Sequence, residues 1–252
     1  MSQPETSFPP ARGLVVEGVS ARYGNLMACR PVSLQVDPGE LVALIGPNGA
    51  GKTSLIGALN GTVAGSGSIS LDGQRIDGLP AWRRVGTGLT TVPDNRGLFP
   101  SLTVADNLRL GALLSDRARR DKALEDALDL FPFLRTRWTD AAGALSGGQQ
   151  QMLAIAKCMA CSPRVLLLDE PTQGLAPIIV DELAGVLRNL RARGLPILLV
   201  EQNQYLVEAV ADRFLVLVGG QVVHSGPRAA LADRERIAGL YLQRQDAATL
   251  SH

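Results

Sequence analysis

The fold is decided by residues 41–53, which read LVALIGPNGAGKT. Residues 41–45 form a continuous apolar run, which is typical of a strand buried in a parallel sheet. Residues 46–53 match the pattern G-x-x-x-x-G-K-[ST] at every fixed position, and the segment 54–59 that follows fits a helix. This order of strand, glycine-rich loop and helix predicts a phosphate-binding loop in an α/β protein.

The residue types of this loop suit the binding of a nucleoside di- or triphosphate. Glycines let the backbone wrap closely, so that N–H groups point inward, and the helix N-terminus adds partial positive charge. Lys52 would bridge the terminal phosphates, and the Thr53 hydroxyl would be a ligand of Mg²⁺, which takes few protein oxygens. A chance glycine-rich turn is the alternative in a chain with 27 glycines, but the flanking strand and helix disfavour it. The predicted phosphate-binding residues are Gly46, Pro47, Asn48, Gly49, Ala50, Gly51, Lys52, Thr53 and Ser54.

Two adjacent carboxylates follow a second apolar strand at 165–168. Asp169 is expected at the carboxyl edge of the sheet, where it would hold Mg²⁺ through the water shell of the ion. Glu170 lies one residue further along, where it could orient or deprotonate an attacking water. A strand end with two solvated acids is the alternative, and the phosphate-binding loop upstream favours the metal and water roles.

A further helix start, at residues 146–149, has the features of a second anion site. Its serine is a natural N-cap, and its two glycines expose backbone N–H groups. It has no lysine of its own, and a nucleotide held by residues 46–53 would still expose one face of its γ-phosphate. We therefore predict that it binds a nucleotide held by another copy or partner in a head-to-tail dimer; an ordinary capped helix is the alternative. The residues predicted to make this contact are Ser146, Gly147, Gly148 and Gln149.

The pattern of predicted elements changes along the chain. Two β-branched segments, 14–19 and 32–36, and a hairpin turn at Asp72-Gly73 predict a partly antiparallel N-terminal region. The middle of the chain is helical in pattern, and after it helices and apolar strands alternate, which predicts a parallel sheet with right-handed crossovers. The predicted elements after residue 100 are helices 103–114, 118–131, 149–161, 178–193 and 205–212 and strands 165–168, 197–200 and 214–218, with a hairpin turn at Gly219-Gly220.

Composition excludes several classes of protein. With 252 residues and 46% hydrophobic residues, the chain is neither disordered nor a disulfide scaffold, and its apolar runs are too short to cross a bilayer. The 25 basic residues nearly match the 24 acidic ones, which disfavours a general nucleic-acid surface. The start of the sequence lacks the pattern of a secretory signal, and the three cysteines are expected to be reduced, so we expect a cytoplasmic location.

Three motifs in order, GPNGAGKT at 46–53, LSGGQ at 145–149 and VLLLDEP at 165–171, resemble those of ABC-type ATPases, and the resemblance extends over about residues 13–242. It implies a P-loop NTPase fold of the α/β class, with a mixed or parallel sheet core, an N-terminal antiparallel β lobe and a helical subdomain. The predicted ATPase domain spans 12–242, with the helical subdomain at about 98–162, between tails at 1–11 and 243–252. The resemblance also implies ATP sandwiched between two such domains, hydrolysis of that ATP, mechanical coupling to membrane partners, and stacking of Tyr23 on adenine.

A closer resemblance is carried by VPDNRGLFPSLTVADNL, QQQMLAIAKCMACSPRVLLLDEPTQGLAP and LLVEQN. These segments are similar to the second of two ATP-binding subunits in importers of branched-chain and other hydrophobic amino acids. The resemblance implies two membrane permeases, a different ATP-binding subunit and a solute-binding protein as companions, and a location on the inner face of the cell membrane. The cargo would not touch this chain, and a homodimer and a heterodimer both stay open.

Three positions depart from the pattern of most ABC ATPases. Asp94 stands where a metal-contacting glutamine is usual, and we keep it as a candidate metal ligand. Gln202 stands where a histidine usually contacts the γ-phosphate; it can donate a hydrogen bond but carries no positive charge. Ala176 replaces an aspartate that communicates across the dimer in many relatives. We therefore predict two unequal sites formed with a histidine-bearing partner.

Two other functions compete with a transport ATPase. A soluble ABC ATPase of DNA repair or translation would usually show coiled-coil heptads, a zinc hook or two ATP cassettes, which this sequence lacks. A nucleotide-binding regulatory subunit with little turnover is favoured by Gln202 and Ala176, whereas the presence of Glu170 favours hydrolysis.

Overall fold

The chain forms two β-sheets, one antiparallel and one mixed, in the computed structural model, which describes residues 13–115 and 117–242. The predicted tails at 1–11 and 243–252 lie outside these residues, as does Arg12, the predicted start of the ATPase domain. None of the helices described is both long enough and apolar enough to cross a membrane.

The strands are β1 (Leu14–Tyr23), β2 (Leu26–Val36), β3 (Leu41–Ile45), β4 (Ser68–Leu71), β5 (Gln74–Arg75), β6 (Leu89–Val92), β7 (Val165–Asp169), β8 (Ile197–Glu201), β9 (Arg213–Val218) and β10 (Gln221–Pro227). The α-helices are α1 (Lys52–Asn60), α2 (Ala81–Gly86), α3 (Val104–Ala112), α4 (Arg120–Leu130), α5 (Phe133–Thr136), α6 (Gly147–Met159), α7 (Pro177–Ala192), α8 (Gln204–Val210) and α9 (Arg234–Leu242). Short 3₁₀ turns lie at Arg117–Arg119, Ala142–Ala144 and Arg228–Ala232.

The antiparallel sheet has the strand order β2-β1-β4-β5 and confirms the predicted N-terminal lobe. The turn at Asp72-Gly73 joins β4 to β5, as expected. Strands β1 and β2 are longer than the predicted segments 14–19 and 32–36, because they continue to a tight turn at Gly24-Asn25. Gly24 has φ +58°, which a glycine adopts at little cost.

The mixed sheet has the strand order β10-β9-β3-β8-β7-β6, with β10 antiparallel and all other neighbours parallel. All residues of β3, β7 and β8 are buried, which explains the continuous apolar runs at 41–45, 165–168 and 197–200. Because the parallel strands all point the same way, the loops that follow β3, β7 and β8 meet at one edge of the sheet, where ligands bind in such folds.

Two hydrophobic clusters cover the two faces of this sheet. Side chains alternate along β3, so Leu41, Ala43 and Ile45 belong to the cluster that includes α3, α6 and α7. Val42 and Leu44 belong to the cluster that includes α1 and the antiparallel sheet. β3 is therefore anchored from both sides, which fixes the start of the loop that follows it.

The helical middle of the chain differs in detail from the sequence prediction. The predicted helix 118–131 is a 3₁₀ turn followed by α4, and the chain continues through Pro132 into the short helix α5. Proline fits the start of α5 because its fixed φ suits the first turn of a helix. Sequence reasoning missed α2, α5 and α9, which are short or weakly periodic. The boundary of a helical subdomain at 98–162 stays a prediction.

Candidate functional site

The loop at 46–53 leaves the central strand β3 and ends in helix α1. Gly51 lies immediately before α1 with φ +97°, and a Cβ there would lie 2.4 Å from the carbonyl oxygen of Ala28. A Cβ on Gly46 would lie 2.1 Å from the carbonyl oxygen of Leu217. Both glycines are therefore required by close backbone approach, which lets the loop wrap tightly around an anion.

Lys52 is the cation of this loop and is almost fully buried, with 4% of its surface exposed. Its Nζ donates hydrogen bonds to the carbonyl oxygens of Gly46 and Pro47, at 2.9 and 3.0 Å. It also lies 3.4 Å from Oε1 of Glu170. The ammonium is thus held inside the loop, close to where the loop's N–H groups would bind phosphate.

Oxygen atoms that suit a hard cation converge beside the loop. The Thr53 hydroxyl donates a hydrogen bond to Oδ1 of Asp169 at 3.2 Å. Burial raises the pKa of Asp169 to about 6, with smaller contributions from the charges of Asp94 and Glu170. Residues 13–115 and 117–242 contain no cluster of three acidic, histidine or cysteine side chains that could hold a metal ion on its own. An oxygen-only donor set of this kind fits Mg²⁺, which keeps several waters and also binds phosphate oxygens.

Replacement of Asp169 by asparagine should stabilise the nucleotide-free chain at neutral pH. The pKa of Asp169 lies above its ordinary value of 3.8, so the native state binds this proton more tightly than the unfolded state does. The contribution of Asp169 to the free energy of unfolding therefore falls as the pH rises from 3.8 to about 6, and it stays low above that pH. We expect Asp169→Asn to raise the free energy of unfolding by about 1–3 kcal/mol near pH ~7.5, and by about half as much near pH ~5. Urea unfolding at both pH values checks this, and a gain independent of pH would contradict it.

Glu170 lies at the mouth of the site in a constrained backbone conformation. Its φ is +45°, and its N–H donates to the carbonyl oxygen of Val200 at 2.9 Å. The Nε2 of Gln202 donates hydrogen bonds to Oε1 of Glu170 and to Oδ1 of Asn48, both at 2.6 Å. The Gln202 amide therefore bridges the phosphate-binding loop and the Glu170 carboxylate.

These residues surround an open cleft of about 520 Å³. The cleft is lined by residues 48–54, Asp94 and Glu170, which sequence reasoning had selected. Asp169 lies beneath this lining and contacts it through Thr53. Gln202 and Asn48 line an adjoining cleft that shares Glu170.

Tyr23 does not line this cleft. It lies half-exposed at the end of β1, where it pairs with Leu26 of β2. Leu26, Met27 and Ala28 line the cleft instead. The tight turn at 24–25 could have indicated their position, because residues just after a hairpin turn lie beside those just before it.

Sequence reasoning also missed Gly219 and Gly220, which line the cleft and which we had predicted only as a hairpin turn. The Gly220 N–H donates to the carbonyl oxygen of Ala50 at 2.9 Å. Because β9 neighbours β3, the turn after β9 necessarily lies next to the loop after β3. Knowledge of the strand order would have identified this pair.

Residues 146–149 lie outside the cleft that holds Lys52. They form a complete capping box: the Ser146 hydroxyl accepts from the Gln149 N–H at 3.3 Å, and the Gln149 side chain accepts from the Ser146 N–H at 3.1 Å. Gly148 is buried, and a Cβ there would lie 2.7 Å from the side chain of Ile179. Residues 146–149 are thus a well-formed helix start separate from the Lys52 cleft, and their role as a second anion site stays a prediction.

Neither the histidine nor the cysteines among the described residues line the cleft. His224 lies in β10, where its ring is 5.8 Å from that of Phe214. Burial raises the pKa of Cys158 to about 12 and that of Cys161 to about 11, which disfavours the reactive thiolate form of both.

Comparisons with known proteins agree with these features. The family model described as ABC transporter matches residues 29–173. The high-affinity branched-chain amino acid transport ATP-binding protein BraG of Pseudomonas aeruginosa is 40% identical over 230 residues, which cover 91% of this chain and 99% of BraG. The probable branched-chain amino acid transport ATP-binding protein LivF of Archaeoglobus fulgidus is 35% identical over 88% of this chain and 95% of LivF. The lipopolysaccharide export system ATP-binding protein LptB of Haemophilus influenzae is 32% identical over 92% of this chain and 98% of LptB.

Solved structures share the architecture. The structure of an ATP-binding subunit of an ABC transporter has a TM-score of 0.75 at 28% identity and covers 93% of this chain and 98% of its own length. A nucleotide-free ATP-binding cassette from an ABC transporter, 22% identical, has a TM-score of 0.78, with 89% of this chain and 96% of that chain covered. The predicted α/β fold with its mixed sheet, antiparallel lobe and helical insert is confirmed.

Proposed function

Since this chain belongs to the ABC transporter ATPase family, whose members hydrolyse ATP to drive transport, we propose that it powers an importer of branched-chain or other hydrophobic amino acids. The cargo is inferred from the names of BraG and LivF, at 40% and 35% identity. LptB, which serves lipopolysaccharide export, is 32% identical. The proposal of import rather than export therefore rests on the higher similarity to BraG.

The proposal for the site rests on one observation, the meeting of Lys52, Asp169 and Glu170 at the carboxyl edge of the mixed sheet. We assign the phosphates of ATP to the loop 46–53, with Lys52 on the terminal phosphates. We assign Mg²⁺ to Thr53 and Asp169, with Asp94 as a further ligand, directly or through water. When bound, this ion would draw negative charge from the phosphate oxygens.

We assign Glu170 to the attacking water, which it would orient or deprotonate. Gln202 supports this role because its amide donates to the Glu170 carboxylate and has no basic site to compete for the proton. Tyr23 is assigned to the adenine ring, together with its cross-strand neighbour Leu26. A regulatory subunit with little turnover is the second candidate, and it is favoured by the absence of a charged group at Gln202.

We propose that residues 146–149 cover the γ-phosphate of ATP held by a second ATP-binding subunit, or by another copy of this chain, in a head-to-tail dimer. Their position outside the cleft of their own chain supports this arrangement. Gln202 and Ala176 favour two unequal sites, one of them in a histidine-bearing partner.

We propose that the helical subdomain at about 98–162 contacts a membrane permease, which would keep the ATPase domain on the inner face of the cell membrane. Phe99 and Leu102 are exposed apolar side chains there, so an apolar contact surface is available. A solute-binding protein would join through the permeases and not through this chain.

Reconstitution tests the transport function. The complex that copurifies with this chain would be placed in vesicles with ATP inside and the solute-binding protein outside. We expect ATP-dependent uptake of labelled leucine, isoleucine or valine, and none from a complex that carries Glu170→Gln. Copurification without any membrane protein would favour a soluble ATPase, and ATP turnover without uptake of these amino acids would contradict the proposed cargo.

A further inference from the structure

Glu201, the last residue of β8, is a buried acid that has no cationic partner in the part of the chain that the structure describes. It is 2% exposed, and its carboxylate accepts hydrogen bonds from a hydroxyl and from backbone N–H groups. Burial raises the pKa of Glu201, and the charge of Glu170 adds to this shift. A buried carboxylate of this kind is costly for stability, so a role in function is expected.

The hydrogen bonds of Glu201 tie its own segment, which carries Gln202, to the segment that carries Glu170. Its Oε1 accepts from the Thr172 hydroxyl, and its Oε2 accepts from the Gln202 N–H at 2.9 Å. Thr172 lies two residues after Glu170 and is itself buried. One carboxylate thus joins the segment that carries Glu170 to the segment that carries Gln202.

The exposed ends of these segments are joined as well. The Gln202 side chain donates to Glu170 at 2.6 Å, so Glu201, Thr172, Glu170 and Gln202 form a closed ring of hydrogen bonds and backbone. Glu170 has φ +45°, a conformation that costs free energy and persists only where its surroundings hold it. The bond between Thr172 and Glu201 is a buried contact that helps to hold it, beside the bond from the Glu170 N–H to the carbonyl oxygen of Val200.

We propose that Glu201 is a positioning residue for ATP hydrolysis, which fixes Glu170 and Gln202 relative to each other through Thr172 and the Gln202 N–H. It does not touch the nucleotide and acts only through the groups that do. This inference rests on the proposed role of Glu170. Displacement of a reacting group by about 1 Å can cost about 100-fold in rate. Loss of the hydrogen-bonded ring should therefore lower the rate of ATP turnover without weakening the binding of ATP.

Thr172→Val tests the proposal because it removes the hydroxyl and keeps the side-chain shape. We expect kcat of the full chain to fall by about 10- to 100-fold, with KM for ATP within about threefold of the parent. Thr172→Ser, which restores the donor, should recover most of the loss. Thr90→Val is the matched control: its buried hydroxyl donates to the carbonyl oxygen of Val165 at 3.2 Å, away from the cleft, and kcat should not change.

Glu201→Leu provides a second, independent test. It replaces a buried charge by an apolar group of similar size, so the melting temperature should stay within about 5 °C while kcat falls as in Thr172→Val. In a Glu170→Gln background, Thr172→Val should add no further loss, because both changes act on one unit.

The proposal is overturned if Thr172→Val and Glu201→Leu keep kcat within about twofold of the parent, or if KM for ATP rises by about the same factor as kcat falls. It is also overturned if Thr90→Val lowers kcat as much as Thr172→Val does. Failure of the proposed site is a different result: Glu170→Gln itself would then hydrolyse ATP at the parent rate.

Discussion

Glu170→Gln is expected to lower kcat for ATP hydrolysis by about 10²- to 10⁴-fold and to leave the affinity for Mg-ATP within about threefold of the parent. The carboxylate lies 3.4 Å from Lys52 and accepts a hydrogen bond from Gln202, at the place where a water could be aligned with the terminal phosphate. A glutamine keeps the shape and the hydrogen-bond acceptor but cannot take a proton. Phosphate release from the full chain, and from its complex with the permeases, measures the effect.

Glu182→Gln is the matched control for this change. Glu182 is an exposed acid of α7, so the same loss of charge there should leave kcat unchanged. Equal rates for Glu170→Gln and the parent would remove Glu170 from the catalytic role. A complex that transports at the parent rate with Glu170→Gln in this subunit alone would favour the regulatory candidate.

Lys52→Ala should weaken the binding of ATP by at least about 100-fold. The ammonium is buried among the loop carbonyls and has Glu170 as its carboxylate neighbour. Its removal takes away charge-assisted hydrogen bonds to the phosphates and leaves the negative charges of Asp169 and Glu170 facing them. Calorimetric titration with ATP measures the loss.

The chain has only three lysines, and Lys122 supplies the control. Its Nζ pairs with Asp126 at 2.9 Å on the exposed face of α4. Lys122→Ala removes the same charge, so it should leave ATP affinity unchanged. Similar affinities for Lys52→Ala and Lys122→Ala would mean that ATP binds elsewhere.

Much of the fold could be predicted because its strongest elements are marked locally. The strand at 41–45 is uniformly apolar because it is buried on both faces. Gly46 and Gly51 after it are required because a Cβ on either would lie less than about 2.5 Å from a backbone carbonyl oxygen. All four residues of the turns Asp72-Gly73 and Gly219-Gly220 adopt positive φ. Because few residue types favour that conformation, both turns were equally clear in the sequence. The short helices α2 and α5 have too few residues to show a period.

The site was predictable as a set of residues but not as a network. Asn48, Glu170 and Gln202 lie in three loops that follow β3, β7 and β8, and their hydrogen bonds depend on the register of those strands. Glu201 gave no signal, because an acid at the end of an apolar strand is most simply expected to be solvated. Only its burial and its bond to Thr172 distinguish it.

The most direct test of the central claim is a crystal structure of the full chain with Mg²⁺ and a non-hydrolysable ATP analogue. The account predicts that the β- and γ-phosphates lie in the loop 46–53, with the Lys52 Nζ within about 3.2 Å of a phosphate oxygen. Phosphates that lie outside this loop, with Lys52 still bound to the carbonyl oxygens of Gly46 and Pro47, would contradict it.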